Sequence, residues 1–472
     1  MPRLARQEIP HMNEISTINS PITALQLRDN LHYLHPFTDY AELHAEGSRI
    51  QDHAEGVYIW DTDGRRIIDG LAGLGCVTLG YGRKELAEVA ARQMQKLSYS
   101  QSFFKTSNEP AIQLAEKLVE LTPKGLNHVF FTNSGSEANE TCLKLVHRYW
   151  NLAGKPDKRV IIARAQAYHG STIATTSLSG NPVFYTSGGG MPISGIERIE
   201  APYWYLNGAG ETPEEFGLTA ARWLEDKILE LGAENVAAFF AEPFQGAGGA
   251  ILPPDTYWPE IQRICRKYDV LLVIDEVVSG FGRTGKWFGC ETFGIEAPDL
   301  MAIAKGITSS YFPMSATMVS DRIASLLIEK GGEFYHGFTN SGHPVGAAVA
   351  LENIRIMERE QVVENAAELG KHFGEHVASL ADHPLVGNVR SCGLFAGIQL
   401  VADKDKRVLF DEALRVGDHC STEALHRGLA LRAIGDTMTL MPPLIITRGQ
   451  IDEVFAMTRD ALDATARAFK AR

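Results

Sequence analysis

No stretch of about 18 consecutive apolar residues occurs in the chain, so no membrane-spanning helix is expected. Cysteine is sparse. Cys76, Cys142, Cys265, Cys290, Cys392 and Cys420 are never closer than 25 residues in sequence. That spacing excludes a CxxC pair and its metal-ligand pattern, and six thiols in 472 residues make no disulfide framework. They read as reduced, mostly structural thiols of a cytoplasmic protein. A basic excess is missing too. Fifty-eight acidic residues outnumber 45 basic ones, the net charge is −13, and the footprint of a nucleic-acid binder is absent. Disorder is excluded because 44% hydrophobic and 22% charged residues are ordinary globular values. The start, MPRLARQEIPHMNEIST, has basic residues but no apolar run after them, so no signal peptide is expected. Met12 directly follows His11, which points to a non-native leader or an upstream start. Residues 1–20 are therefore set aside from fold reasoning. There is no internal repeat, charge run or low-complexity tract.

What is present is length and glycine. At roughly 150 residues per domain, 472 residues make two or three domains. The 44 glycines are about 9% of the chain, against a usual value of about 7%. Surplus glycine means tight turns and close backbone approaches.

Apolar β-rich runs alternate with helical patterns. His128–Thr132, Arg159–Ala163, Asn235–Ala241 and Val270–Ile274 are strand candidates that end near Gly, Asp or Glu, and Met314–Ser320 is another. Helical patterns follow in SEANETCLKLVHRYW and precede Val270 over Ile261–Asp269. Continuous apolar strands separated by helices predict a mainly parallel sheet covered on both faces. Sites in such sheets lie at the carboxyl ends of the strands. After about residue 345 the pattern changes. Two long helices (HPVGAAVALENIRIMERE and ENAAELGKHFGEHVASLA) precede short strands at Leu394–Leu400, Leu429–Arg432 and Thr437–Met441. A final helix starts near Gln450, and this part reads as a smaller α+β domain. Gly56–Gly70 reads as a hairpin turning at Asp63-Gly64 that belongs with it.

Four places carry chemistry. Asn133-Ser134-Gly135-Ser136-Glu137 joins a strand to a helix, where free N–H groups and the helix dipole suit a phosphate. A plain N-cap is the alternative. Asp275 ends a buried strand, where a carboxylate is costly unless paired. It could hold a metal, a ribose hydroxyl or a protonated ring nitrogen, or simply cap the strand. Lys305 follows an apolar run and precedes Gly306, so desolvation would push its amine toward the nucleophilic free base. A snorkelling surface lysine is the common alternative. Tyr168 and His169 follow a strand end and could stack on a flat ligand, with ordinary packing an equal alternative for His169. A phosphate cradle, a buried carboxylate, an activated lysine and a stacking aromatic are together the parts of a pyridoxal-phosphate site.

The motifs FFTNSGSEANE, AYHGST, AEPFQGAGG, VIDEVVSGFGRTG, APDLMAIAKG and HGFTNSGHP make the chain resemble the class III aminotransferases of the pyridoxal-phosphate fold-type I group. Within them it most resembles the ω-amine and putrescine transaminases that use pyruvate. The resemblance runs from about Phe37 to the C-terminal helix. It implies an α/β fold: an N-terminal segment (1–75) contributing to a small domain, a large cofactor domain (76–344) with a mainly parallel sheet, and a C-terminal α+β domain (345–472). It implies pyridoxal 5′-phosphate as cofactor and no metal. Lys305 matches the Schiff-base lysine and Asp275 the partner of the ring nitrogen. Gly135 and Ser136 match the phosphate cradle. Tyr168 and Val277 match the residues on the two faces of the ring, and Glu242 an acid near it. Thr339 matches a threonine that reaches the phosphate of the neighbouring subunit, so a homodimer or a tetramer is implied. The substrate pocket would include Gly75, Phe104, Tyr168, Ala247 and Arg432, the last gripping a substrate carboxylate and moving aside for an apolar amine.

Three departures qualify the match. Gly75 replaces the usual tryptophan, which implies an open pocket for bulkier or longer amines. Ala247 stands where the ornithine-type branch has glutamate, which argues against ornithine-like substrates and 2-oxoglutarate. Val278 stands where that branch has glutamine, so the resemblance does not carry over that branch's hydrogen bond to the ring hydroxyl. The expected partners are thus small amines and keto acids, not nucleic acid or membrane. Competing readings are an aminomutase or decarboxylase of the same fold, a non-catalytic binding protein that kept it, and a dinucleotide enzyme. The last is disfavoured because no G-x-G-x-x-G opens a helix with an acid about 20 residues on.

Overall fold

The computed structural model describes residues 22–186 and 192–469. The expected leader therefore lies outside the described residues. The chain forms two compact units, one ending at Ala54 and including Ile59–Arg66, the other made of Glu55–Tyr58 and everything from Ile67 on.

The first unit is small. Thr23 caps the helix Ala24–His32 with a reciprocal capping box to Gln26, and Asp39 caps Tyr40–Glu46 by accepting from the Ala41 and Glu42 N–H groups. The expected turn at Asp63-Gly64 is present. Gly64 donates to the Asp61 carbonyl at 3.0 Å, and Arg65 pairs with the buried Asp61 carboxylate at 2.8 Å.

The second unit is built on seven strands, numbered here in chain order: β1 (His128–Thr132), β2 (Val160–Arg164), β3 (Ile196–Ile199), β4 (Val236–Ala241), β5 (Leu271–Asp275), β6 (Leu300–Ile303) and β7 (Ser315–Val319). Their order across the sheet is β1-β7-β6-β5-β4-β2-β3. All run the same way except β7, which pairs antiparallel with β1 and with β6. Only a short 3-10 turn (Lys305–Ile307) lies in the link from β6 to β7, too little for a parallel crossover and enough for a reversal.

Strand parity divides the core. Leu271 and Val273 pack on one face with Ala138, Cys142 and Val146 of the helix Gly135–Leu152. Leu272 and Ile274 pack on the other with Phe216, Leu224 and Ile261 of the helices Pro213–Leu231 and Tyr257–Tyr268. Each fully buried Leu, Ile or Phe contributes about 1.5–3 kcal/mol, so β4 to β7, buried throughout, hold the sheet rigid. This rigidity fixes the loops at the carboxyl ends of β1, β2, β4, β5 and β6, all on one edge of the sheet.

The C-terminal part carries a separate antiparallel sheet in the order Val386–Cys392, Phe395–Leu400, Thr437–Leu440, Arg432–Ile434. The stretch expected as one strand, Leu429–Arg432, is split. Leu429–Ala430 pairs with Ile68–Asp69, while Arg432 starts a hairpin strand opposite Thr439. An apolar run does not say how many partners it will have. Ile196–Ile199, Leu300–Ile303 and Val386–Cys392 are strands not expected from the sequence; the first is four residues at the sheet edge, the second was read only as the apolar run before Lys305, and the third has a register shift between Val386 and Asn388. The final helix spans Arg448–Phe469.

Candidate active site

Asp275 is carried into the interior by the apolar strand it ends, and is 3% exposed. Its charge is met on both oxygens. Oδ2 accepts from Asn139 Nδ2 at 2.7 Å and faces His169 Nδ1 at 2.8 Å, and Oδ1 accepts from the Val277 N–H at 3.0 Å. Asn139 also donates to the His169 carbonyl at 2.8 Å, tying the two donors together. Asp275 is thus a fixed, fully directed carboxylate. The adjacent Glu276 points the other way. It accepts from the Gly289 and Cys290 N–H groups at 2.9 and 2.6 Å and locks the glycine-rich turn, while burial pushes its carboxyl up.

Lys305 lies on the neighbouring strand's exit. Asp275 is in register with Ala302, and Lys305 follows three residues later. It adopts a left-handed backbone (φ 49°), a strained setting for a non-glycine residue that costs about 1–3 kcal/mol. Asn353 holds this turn by donating to the Gly306 and Ile307 carbonyls at 2.9 and 3.2 Å, and Ser309 donates to Asn353 Oδ1 at 2.6 Å. Burial lowers the Lys305 amine below the ordinary lysine range, opposed by Cys76 and Asp275 and reinforced by the positive charges of Arg432 and Arg283.

The helix Gly135–Leu152 begins beside both. Ser134 Oγ caps it by accepting from the Glu137 N–H at 3.2 Å, and Glu137 accepts from the Asn133 N–H at 2.7 Å. The expected N-cap is present, and it does not exclude an anion there, since the first-turn N–H groups of any helix have no partner within it. A methyl group on Gly135 would meet Val277 Cγ1 at 3.1 Å and Ala304 Cβ at 3.8 Å. Gly135, Val277 and the residue before Lys305 thus converge. Ser136 Oγ accepts from the Ser171 N–H at 3.0 Å, which ties the helix start to the loop of Tyr168.

Tyr168 lies edge-on to Phe184 at 5.2 Å, with its hydroxyl 3.1 Å from Ser171 Oγ. Glu242 is buried at the end of β4. Its carbonyl accepts from Arg164 at 2.6 Å, its carboxylate lies 3.4 Å from the same guanidinium, and burial pushes its carboxyl up. Arg432 is partly buried and within electrostatic reach of both Tyr168 and Lys305. Ala247 lies in a loop closed by paired Gln245–Ile251 backbone bonds of 3.0 Å, and Val278 packs against Gly246 of that loop.

Gly75 is buried at φ 73°, and a Cβ there would meet Met441 Sδ at 2.8 Å. A side chain here would carry backbone strain and would have to displace the Met441 thioether. Phe104 and Thr339 are exposed, and among the described residues neither has a hydrogen bond to the Lys305–Asp275 group. They lie on two interlaced loops, joined where Tyr99 Oη donates to the Thr339 carbonyl at 2.9 Å and Ser102 Oγ to the Ser341 carbonyl at 2.9 Å. Asn139 and Asn353 were not singled out from the sequence. Asn139 is one helical turn after Gly135, a buried polar position that could have been found by spacing.

The chain matches the family described as aminotransferase class-III over residues 41–462. It is 51% identical to the putrescine–pyruvate aminotransferase of Pseudomonas aeruginosa, over 96% of this chain and 99% of that protein. It is 45% identical to the diaminobutyrate–2-oxoglutarate transaminase of Halomonas elongata, over 90% and 92%. Among solved structures, the omega transaminase of Pseudomonas jessenii in complex with PMP superposes with a TM-score of 0.93 at 40% identity, covering 95% of this chain and all of that one. A thermostable omega transaminase with one tryptophan replaced by glycine, engineered for synthesis of bulky amines, gives 0.91 at 41%, covering 94% of this chain and all of that one. Class-III enzymes use pyridoxal phosphate, and the mixed α/β fold with its seven-stranded sheet is theirs. The chain belongs to the class-III aminotransferases.

Proposed function

We propose that this transaminase takes an amino group from a primary amine, a diamine or polyamine, or an ω-amino acid, and gives it to pyruvate in a ping-pong reaction. The observation that carries the reading is the Lys305–Asp275 pair beside the Gly135 helix start, with Arg432 in electrostatic reach. The residues suit pyridoxal phosphate. Asp275 offers a fixed anion to a protonated ring nitrogen, Gly135 leaves little room for a side chain between the helix start and Val277, and Ser136 adds a hydroxyl at the positive end of the helix. Bound there, pyridoxal phosphate supplies the carbonyl that takes the amino group and the ring that spreads the charge of a deprotonated carbon.

The chain's own residues do the rest. Gly135 and Ser136 hold the phosphate by their N–H groups. Tyr168 and Val277 cover the ring. Asp275, oriented by Asn139 and His169, keeps the ring nitrogen charged. Lys305 Nζ would take a proton from the substrate carbon as base and return it as acid. Arg432 holds the carboxylate of the keto acid through parallel hydrogen bonds. Ala247, uncharged, leaves that arginine available for pyruvate. A homodimer fits the exposed Phe104 and Thr339 loops, which a second subunit would cover, and the free thiols fit a cytoplasmic setting.

A panel of amines against pyruvate, read as alanine formed, tests the reading. No alanine from any diamine, ω-amino acid or aryl amine would overturn it. Arg432→Ala is expected to raise the KM for pyruvate about 10–100-fold, the value of hydrogen bonds to a charged group, while the KM of an amine lacking a carboxylate changes little. Equal rises for both would show that Arg432 does not grip the acid.

Gly75 gives a further expectation. Gly75→Trp should lower the midpoint of urea unfolding, because a side chain at φ 73° is strained and collides with Met441. It should also narrow the pocket, so the parent chain turns over bulky amines faster than the variant. The similar enzyme engineered with glycine for bulky amines supports that direction.

A further inference from the structure

The helices Val362–Ser379 and Arg448–Phe469 carry a second cluster of coordinating groups that shares no residue with the Lys305 site. His372 and His376 are four residues apart, so they share one face of their helix, one turn apart. Asp452 comes from the other helix. Both imidazoles aim Nε2 at the same oxygen: Asp452 Oδ1 is 2.6 Å from His372 and 2.8 Å from His376. The three ligand atoms lie within 4.8 Å of one another.

The rings are held in place before any ligand arrives. His376 stacks flat on Phe455, centroids 5.0 Å apart and planes 8° apart. His372 meets His376 edge-on at 4.6 Å. Phe455 in turn packs against the buried Phe373 at 5.0 Å. Rotamers locked this way are the precondition of a defined coordination site. Access is one-sided, since the His372 side chain is 14% exposed and that of Asp452 53%.

We propose that His372, His376 and Asp452 form a binding site for one borderline first-row divalent cation, of which zinc is the test case. Two imidazole nitrogens and one carboxylate oxygen are the donor set such cations prefer, whereas calcium and magnesium favour oxygen alone. Three protein ligands leave a fourth position, open to water on the Asp452 side. Binding through Nε2 requires each neutral ring to carry its proton on Nδ1. His372 Nδ1 is buried with no hydrogen-bond partner among the described residues, and Glu375 Oε2 is 3.8 Å away. A small turn of Glu375 makes it the acceptor that a metal-bound histidine needs behind it. The bound cation would cross-link the two helices.

The test uses the full-length holoenzyme without an affinity tag, titrated with zinc in calorimetry against a competing chelator. One zinc per chain is expected, with the thermal midpoint raised by saturating metal. Glu375→Ala should weaken binding about 10-fold, as loss of an outer partner does, and His376→Ala by more than about 100-fold. Asp452→Asn keeps an oxygen for hydrogen bonding but removes the anion, and should lose most of the affinity if His376→Ala fails to fold. His426→Ala, at an exposed histidine elsewhere, should bind as the parent does. The amine:pyruvate rate should be the same in all four variants without added metal. An anomalous peak between the three ligand atoms in zinc-soaked crystals would support the site. Zinc binding of equal strength in the parent and in His376→Ala or Asp452→Asn would overturn it, as would the absence of binding in the parent.

Discussion

Lys305→Ala should lower kcat for amine and pyruvate by at least about four orders of magnitude. A positioned acid–base group alone is worth about 10²–10⁴-fold, and this lysine is also the nucleophile by the family resemblance. The measurement is the initial rate of alanine formation at saturating substrates. The loss should not come from unfolding. Lys305 is a buried amine that desolvation holds below its ordinary basicity, so removing it relieves a cost. With cofactor stripped from both proteins, the variant should unfold at the same urea concentration as the parent or a higher one. Activity within tenfold of the parent would refute the assignment, and a collapse in stability would mean that the loss says nothing about chemistry.

Asp275→Asn is the second large effect. The amide keeps the shape of the carboxylate but not its charge, and a lost electrostatic contact of this kind costs about 10²–10³ in rate. Stability should fall too. Asn139 Nδ2 and His169 Nδ1 approach one oxygen, and the Val277 N–H approaches the other. An asparagine has one oxygen for these two sides, so a donor is left facing its NH2 group, at about 1–3 kcal/mol. Urea denaturation reads the second effect and steady-state rates the first. A kcat within threefold of the parent would remove Asp275 from the mechanism.

Asp275 was legible because it ends a strand expected from the sequence, and Lys305 because it follows an apolar run. A parallel sheet sends its strand exits to one edge, but that Leu300–Ile303 is a strand, and the neighbour of the one ending in Asp275, only the structure shows. The support around them was not legible. Asn139 and His169 lie 136 and 106 residues before Asp275 in the chain, and only the folded sheet brings them to its carboxylate. His169 illustrates the limit: the sequence offered packing or function equally, and the structure shows a buried ring that packs on Phe240 at 4.8 Å and also faces Asp275. The main strands were recognisable as apolar runs. The edge strand Ile196–Ile199 and the bulged Val386–Cys392 were not, because short or half-exposed strands carry weak patterns. Phe104 and Thr339 were named through resemblance, and on a single chain nothing around them indicates a role.

The helix Gly135–Leu152 has a consequence for evolution of the site. Its first residue faces Val277, and Asn139, four positions on, holds Asp275. The two anchors are therefore separated by about 6 Å along one rigid rod, at about 1.5 Å per residue. They cannot drift independently. A residue inserted or deleted between Ser134 and Asn139 would rotate Asn139 by about 100° away from its carboxylate while leaving the cap intact. The segment acts as a gauge block, whose length is as constrained as the side chains at its two ends.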